Sequence, residues 1–343
     1  MITKLLISLL IFVTTINMSF AQVYISETIQ YDGLTREYNI YVPASYDGNT
    51  SFPLLFNFHG GGGNIASHIG MADMSPIADT ANFIIVYPQA RPDPSDGNSF
   101  NWISKVPGTF DDVPFISSLI DTIASNYQID QNRIYACGYS LGGDMSFELA
   151  CKLNSRIAAI APVARTMQAN PNSFCSPAHP TGVLTILGTD DITSPYNGIT
   201  YLGVEYYLSA AATHSYWATH NNCDTTATVN IVSPSVERYT WSTASGCAYV
   251  EELKVIGGGH DWPGSFGNMT IDANTEIWNF VSKFDINGLI GCNTTNHEEQ
   301  SPFSVRRLIG VFDVLGRQIP ELNNTPLLYI YDDGTVEKRL IID

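Results

Sequence analysis

The chain has 343 residues, 44% of them apolar and only 14% charged. That length allows one large domain or two ordinary ones, and the composition excludes a disordered chain. Sixteen lysines and arginines stand against 33 aspartates and glutamates, a formal net charge of −17. Such a surface offers no general attraction to nucleic acid or anionic lipid, so neither is expected as a main partner.

Met1 to Gln22 carries one cation at Lys4, an apolar run from Leu5, and small residues at Ser19 and Ala21. This pattern is expected to be a secretory signal peptide, residues 1–21, removed after Ala21. Thr14, Thr15 and Asn17 interrupt the run, which falls short of the ~20 apolar residues that a membrane span needs. The expected location is extracellular, free or attached to the cell surface. Export makes the six cysteines candidates for disulfides, with fifteen pairings open. Cys223 and Cys247 flank a strand-rich stretch and are the first pair expected, with Cys151–Cys175 second. Cys137 beside Gly138 reads as a buried free thiol. No C-x-x-C occurs, and no metal site or cofactor is expected.

Alternation around Asp32-Gly33 predicts a hairpin from Tyr24 to Tyr31 and Arg36 to Val42. Five short apolar runs follow: Leu54–Phe58, Phe83–Tyr87, Arg133–Cys137, Ala158–Val163 and Val183–Leu187. Their continuity predicts strands covered on both faces, as in parallel sheets. Helices are predicted over Asp112 to Tyr127 (capped by Asp111 or Asp112), Leu141 to Leu153, Gly203 to His220 and Ala273 to Phe284. The alternation argues for an α/β fold with a mainly parallel central sheet flanked by helices. One domain over residues 22–290 is expected, then a polar linker over 291–302. A small C-terminal β segment over 303–343 is expected last, with turns at Gly316-Arg317 and Asp333-Gly334.

Between a predicted strand and a predicted helix lies Gly138-Tyr139-Ser140-Leu141-Gly142, the pattern G-x-S-x-G. The flanking glycines let strand and helix pass closely while a tight turn lifts the serine hydroxyl out of the sheet. A serine hydroxyl needs a base, and the base needs an orienting acid. Both follow Ser140 in the order this elbow requires. The strand Val183–Leu187 runs into Gly188-Thr189-Asp190-Asp191, where Asp191 is the expected acid and Asp190 the reserve. The strand Tyr249 to Ile256 ends in Gly257-Gly258-Gly259-His260, which aims one imidazole; His260 is the expected base. His59 precedes the serine, and His68, His179, His214, His220 and His297 suit surface or core roles. An oxyanion hole is expected from the N–H of Leu141 and one from the loop His59-Gly60-Gly61-Gly62-Gly63-Asn64, with Gly61 as donor and Gly60 and Gly62 as alternatives. No lysine with Ser or Thr follows those glycines, so this is not a P-loop.

These pieces resemble the extracellular α/β-hydrolase esterases that include polyhydroxybutyrate depolymerases, feruloyl esterases and acetylxylan esterases. Val86-Tyr87-Pro88, Asn101-Trp102, Asp111-Asp112-Val113, Pro195-Tyr196-Asn197-Gly198 and Trp262-Pro263-Gly264 add to the likeness, which covers Tyr24 to Phe284. The resemblance implies an α/β-hydrolase fold and a Ser140–His260–Asp191 triad working through an acyl-enzyme. It places the acid five residues before the Tyr of the Pro-Tyr pair, hence Asp191, and it supports Cys223 with Cys247. The substrate class it implies is a feruloyl or acetyl ester on plant cell-wall polysaccharide such as xylan. The runner-up is polyhydroxybutyrate or a similar aliphatic polyester. Trp102, Tyr139 and Trp262 flank the motifs and are expected to stack on a sugar or phenolic ring, with core packing as the plain alternative. A secreted, non-catalytic carbohydrate-binding protein on a hydrolase fold is the rival from another class, and the intact triad argues against it. Ile309 to Gln318 and Leu327 to Ile342 are similar to type IX sorting domains, which implies that secretion machinery as a partner.

Overall fold

The computed structural model describes residues 24–102 and 110–292 and, beyond them, 308–313, 317, 319, 327–331 and 336–339. The expected signal peptide and most of the expected linker lie outside the described residues. The chain divides into two units, residues 1–292 and 293–343.

In the first unit a hairpin of β1 (Ile25–Tyr31) and β2 (Leu34–Tyr41) leads to β3 (Phe52–Phe58), the short helices α1 (Ile65–Ala72) and α2 (Ser75–Ala81), and β4 (Ile84–Pro88). A small ladder, β5 (Arg91–Asp93) with β6 (Ser99–Asn101), precedes α3 (Val113–Asn126). Then come β7 (Ile129–Tyr139), α4 (Leu141–Lys152), β8 (Ala159–Val163) and β9 (Gly182–Gly188). A second small ladder, β10 (Ile199–Tyr201) with β11 (Val204–Tyr207), leads into α5 (Ala210–His220). The strands β12 (Thr228–Ser233), β13 (Val236–Ser242) and β14 (Ala248–Val255), then α6 (Ala273–Val281), complete the main elements. A short pair, β15 (Phe284–Asp285) with β16 (Gly288–Leu289), closes the unit.

One 10-stranded sheet runs β1-β2-β4-β3-β7-β8-β9-β14-β13-β12. Its centre, from β4 to β14, is parallel, and antiparallel pairs finish both edges. The central parallel strands β3, β4, β8 and β9 are buried along their length, which is why their sequences read as mostly apolar runs, with Asn57 and Thr185 as buried polar exceptions. All seven residues of β3 and all seven of β9 are buried. Each large apolar side chain removed from water there is worth roughly 2–3 kcal/mol.

The expected helix from Gly203 is corrected. Leu202 and Gly203 both take positive φ (51° and 77°) and form the two-residue turn of the β10–β11 ladder. The helix starts only at Ala210, where the Ser209 side chain accepts from the N–H of Ala212. At α3 the capping bond comes from Asp111, whose Oδ1 accepts from Val113 N at 2.9 Å. Asp112 is turned inward to a buried ion pair with Arg36 at 2.7 Å.

The disulfides are Cys151–Cys175 and Cys247–Cys292. The expected Cys223–Cys247 pair is therefore a correction, and Cys223 is a free thiol, as is the buried Cys137. Cys247 is turned toward Cys292, a residue inside the stretch read as linker, whereas Cys223 sits at the end of α5 with its Sγ near Asn221 O. Among its described residues the second unit has three short antiparallel strands, β17 (Leu308–Phe312), β18 (Leu327–Tyr331) and β19 (Val336–Arg339). Gly316 and Asp333-Gly334, read as turns, lie outside the described residues.

A digest without reductant is expected to yield the 151–175 and 247–292 cross-linked peptides, with Cys137 alkylated only after denaturation. Cys151→Ser opens a loop of sequence separation 24 and is expected to cost roughly 3 kcal/mol, read as a lower melting temperature. A peptide linking Cys223 to Cys247 would contradict this map.

Candidate active site

The strand–turn–helix carrying Ser140 is built as its glycines require. Ser140 has φ 53° and ψ −116°, a backbone state that costs a non-glycine residue of order 1–3 kcal/mol. Its N–H is held by Val163 O at 2.9 Å, and its C=O accepts from Gly143 N at 2.8 Å. A Cβ on Gly142 would collide with the carbonyl of Phe58, and one on Gly138 would lie 2.5 Å from the Gly142 carbonyl carbon. The first turn of α4 thus rests directly on the end of β3.

That contact sets the glycine loop beside the serine. A Cβ built on Gly60 would sit 3.5 Å from Ser140 Cβ, and one on Gly61 would sit 3.6 Å from Leu141 Cβ. The N–H of Gly62 is used by Phe100 O and that of Gly63 by Gly60 O, at 2.9 and 3.0 Å. This removes Gly62 from the candidate donors and leaves the Gly60–Gly61 stretch facing Ser140 and Leu141.

The acid and the imidazole meet as the sequence suggests. His260 Nδ1 lies 2.7 Å from Asp191 Oδ2, and Asp191 Oδ1 accepts from the N–H groups of Thr193 and Ser194 at 2.8 and 2.7 Å. Asp191 is buried, while Asp190 is exposed and takes only the Thr189 hydroxyl. The two loops are laced by two backbone bonds, Thr189 N to Val255 O and Asp190 N to Gly258 O, at 3.0 and 2.9 Å, and by Gly257 N donating to the Thr189 hydroxyl at 2.8 Å. Tyr139, next to the serine, donates its hydroxyl to His260 O at 2.6 Å and packs its ring 4.9 Å from the imidazole. Burial pushes the Tyr139 phenol up to about 12, so it stays a donor. Among the described residues the Ser140 hydroxyl makes no hydrogen bond to His260. Such bonds commonly tighten only with substrate in place.

Two expected ring platforms are corrected. Trp102 and Trp262 are 1% and 0% exposed, so neither offers a face to a ligand. The Trp102 indole N–H donates to His59 O at 2.8 Å, and that of Trp262 donates to Asn274 Oδ1 at 3.1 Å. Tyr139 is half-buried and is the one expected platform that reaches the site surface.

Sequence reasoning missed a buried ionic brace. Arg165, just beyond β8, pairs with Asp144 in the first turn of α4, lies over the Tyr207 ring at 3.8 Å, and reaches Ser194 Oγ at 3.4 Å. Burial pushes the Asp144 carboxyl up, while the guanidinium pulls it down. No spacing or period marks an arginine that closes such a cluster. Among the described residues no group of His, Cys, Asp and Glu could hold a metal ion.

The chain is similar to known esterases in sequence and in fold. The chain is 27% identical over 271 residues to a bifunctional acetylxylan esterase/xylanase of Neocallimastix patriciarum, covering 77% of this chain and 36% of that protein. It is 28% identical over 258 residues to feruloyl esterase B of Piromyces equi, covering 73% of this chain and 46% of that protein. The chain therefore spans less than half the length of these two relatives. No family model matches it. Among solved structures, the feruloyl esterase module from Clostridium thermocellum complexed with sinapinate superposes with a TM-score of 0.50 at 16% identity, over 81% of this chain and 92% of that one. The fold is that of the α/β-hydrolases.

Gly142→Ala is expected to destabilise the protein by about 3 kcal/mol or more, because the added methyl meets backbone rather than a yielding side chain. A thermal melt within a degree or two of wild type would show that the close approach does not exist.

Proposed function

We propose that the chain is a secreted serine carboxylic-ester hydrolase that removes feruloyl or acetyl groups from plant cell-wall polysaccharide. The observation that carries the chemistry is the Asp191–His260 contact at 2.7 Å in loops laced together beside a serine elbow. In this reading Ser140 Oγ attacks the ester carbonyl and His260 Nε2 takes its proton. Asp191 holds the imidazole in the tautomer with hydrogen on Nδ1 and stabilises its charged form. The N–H groups of Leu141 and Gly61 receive the oxyanion, and His260 then protonates the leaving alcohol. Water, deprotonated by the same imidazole, releases the acid. No cofactor is needed.

The named activities of the fungal relatives support the polysaccharide ester. Export is supported by the pattern at Met1–Ala21 and by two disulfides. Delivery by type IX machinery belongs to the same reading and rests on the resemblance of the C-terminal segment.

Wild-type protein is expected to release ferulate or acetate from substituted xylan oligosaccharides faster than it cleaves hydroxybutyrate oligomers. An organophosphate is expected to label Ser140. Ser140→Ala abolishes turnover, and Asp191→Asn lowers kcat by about 10⁴ while Asp190→Asn leaves it within a few-fold. Equal losses in the two aspartate variants, or a label elsewhere, would defeat the assignment.

A further inference from the structure

His59 opens the glycine loop, is 2% exposed and takes no part in the triad. Its two ring nitrogens face opposite kinds of partner. Nε2 receives the backbone N–H of Ala90 at 3.1 Å and faces the side-chain amide nitrogen of Gln89 at 2.9 Å. The Gln89 amide is itself oriented, because its Oε1 accepts from Ile65 N at 3.1 Å. Two donors aimed at Nε2 leave no place for a proton there, so the hydrogen sits on Nδ1. Nδ1 lies 2.7 Å from the carbonyl of Gly60. Burial lowers the imidazole to about 4, which keeps it in this neutral form.

The peptide between Gly60 and Gly61 is one rigid plane, with its C=O and N–H pointing in opposite directions. Whatever holds Gly60 O therefore aims Gly61 N–H. Two donors hold that oxygen, His59 Nδ1 and the N–H of Gly63 at 3.0 Å. Glycines on both sides of the plane have no side chain to resist its rotation, so external bonds must fix it. On its other side, His59 is pinned by the Trp102 indole on its own carbonyl.

We infer that His59, anchored by Trp102, Gln89 and Ala90, is a positioning residue that orients the Gly60–Gly61 peptide so that its N–H meets the oxyanion. This rests on the esterase reading above and adds to it the residue that sets one of the two donors. A packing role alone would require only a ring of the right volume. The positioning role requires a donor at the Nδ1 place, which Asn supplies, whereas Gln reproduces only the Nε2 end and Phe neither.

The test compares His59→Asn, His59→Gln and His59→Phe in the full chain, with methyl ferulate as substrate and phenylboronic acid as a probe. The boronate forms a tetrahedral adduct on the serine and so reads the oxyanion site. Gln and Phe are expected to lower kcat roughly 10- to 100-fold, less than the ~10²–10³ lost when a donor is removed outright, with KM within twofold. Boronate affinity falls in parallel, and Asn restores most of both. Unchanged kcat in Phe, or a fall in kcat with boronate affinity intact, overturns the inference while leaving the esterase reading standing. A wild type without ester turnover overturns both. Should the variants fail to fold, the ¹³C and ¹⁵N shifts of His59 in wild-type protein decide the matter. An Nδ1–H tautomer at neutral pH supports the inference, and an Nε2–H tautomer overturns it.

Discussion

The end of β3 and the start of α4 approach so closely that Gly142 lies against the carbonyl of Phe58, with no room between them for a methyl group. This steric constraint is what the site depends on. It brings the loop after β3 beside the loop after β7, so that Gly60 and Gly61 face Ser140 and Leu141. It also forces Ser140 into a positive-φ turn that would relax if the helix could withdraw. The helix cannot withdraw because Phe56 and Phe58 are fully buried in the sheet it packs against. A cost of a few kcal/mol at one residue is small beside the burial of that core.

The second half of the site is organised by hydrogen bonds rather than by contact. The loops after β9 and β14 exchange three bonds around Thr189, Asp190 and Gly257, and Gly188 runs against the carbonyls of Gly258 and Gly259. These bonds bring Asp191 to His260 independently of Ser140. Tyr139 joins the two halves, since it precedes the serine in β7 and donates to the His260 carbonyl. A shift of the histidine loop is therefore felt at the elbow through one phenol.

Much of this was legible in the sequence where chemistry demands a particular residue. Mostly apolar runs marked the parallel strands, because burial on both faces leaves few polar positions, and those that remain are partnered, as Asn57 is by His68 and Thr185 by His214. The order Ser140, Asp191, His260 followed from the elbow, and the structure puts Asp191 rather than Asp190 against the imidazole. Trp102 and Trp262 misled because proximity in sequence to a motif says nothing of which face a ring presents; both turn inward, Trp102 donating to the buried His59 carbonyl and Trp262 to the half-buried Asn274 side chain. The Leu202-Gly203 turn was hidden because apolar residues around it fit a helical period, while the positive φ of a leucine is set by strand pairing. The Cys247–Cys292 bridge spans a sequence separation of 45 into a segment with no pattern, so spacing could not select it.

Arg165 explains how a serine helix and an acid loop on different strands keep one geometry. Its guanidinium contacts Asp144 on α4, Tyr207 on β11 and Ser194 in the loop whose N–H groups hold Asp191. An apolar contact between the same elements would resist separation but permit sliding, since dispersion has little direction. A planar guanidinium bonded along three directions permits neither. The energetic balance favours keeping all members. A buried ion pair gains little over an apolar substitute, yet removing one partner strands a charge at a cost of roughly 3–5 kcal/mol. Asp144 also sits in the first turn of α4, where the helix N–H groups favour negative charge. The brace is thus better explained by the geometry it enforces between Ser140 and Asp191 than by the stability it adds.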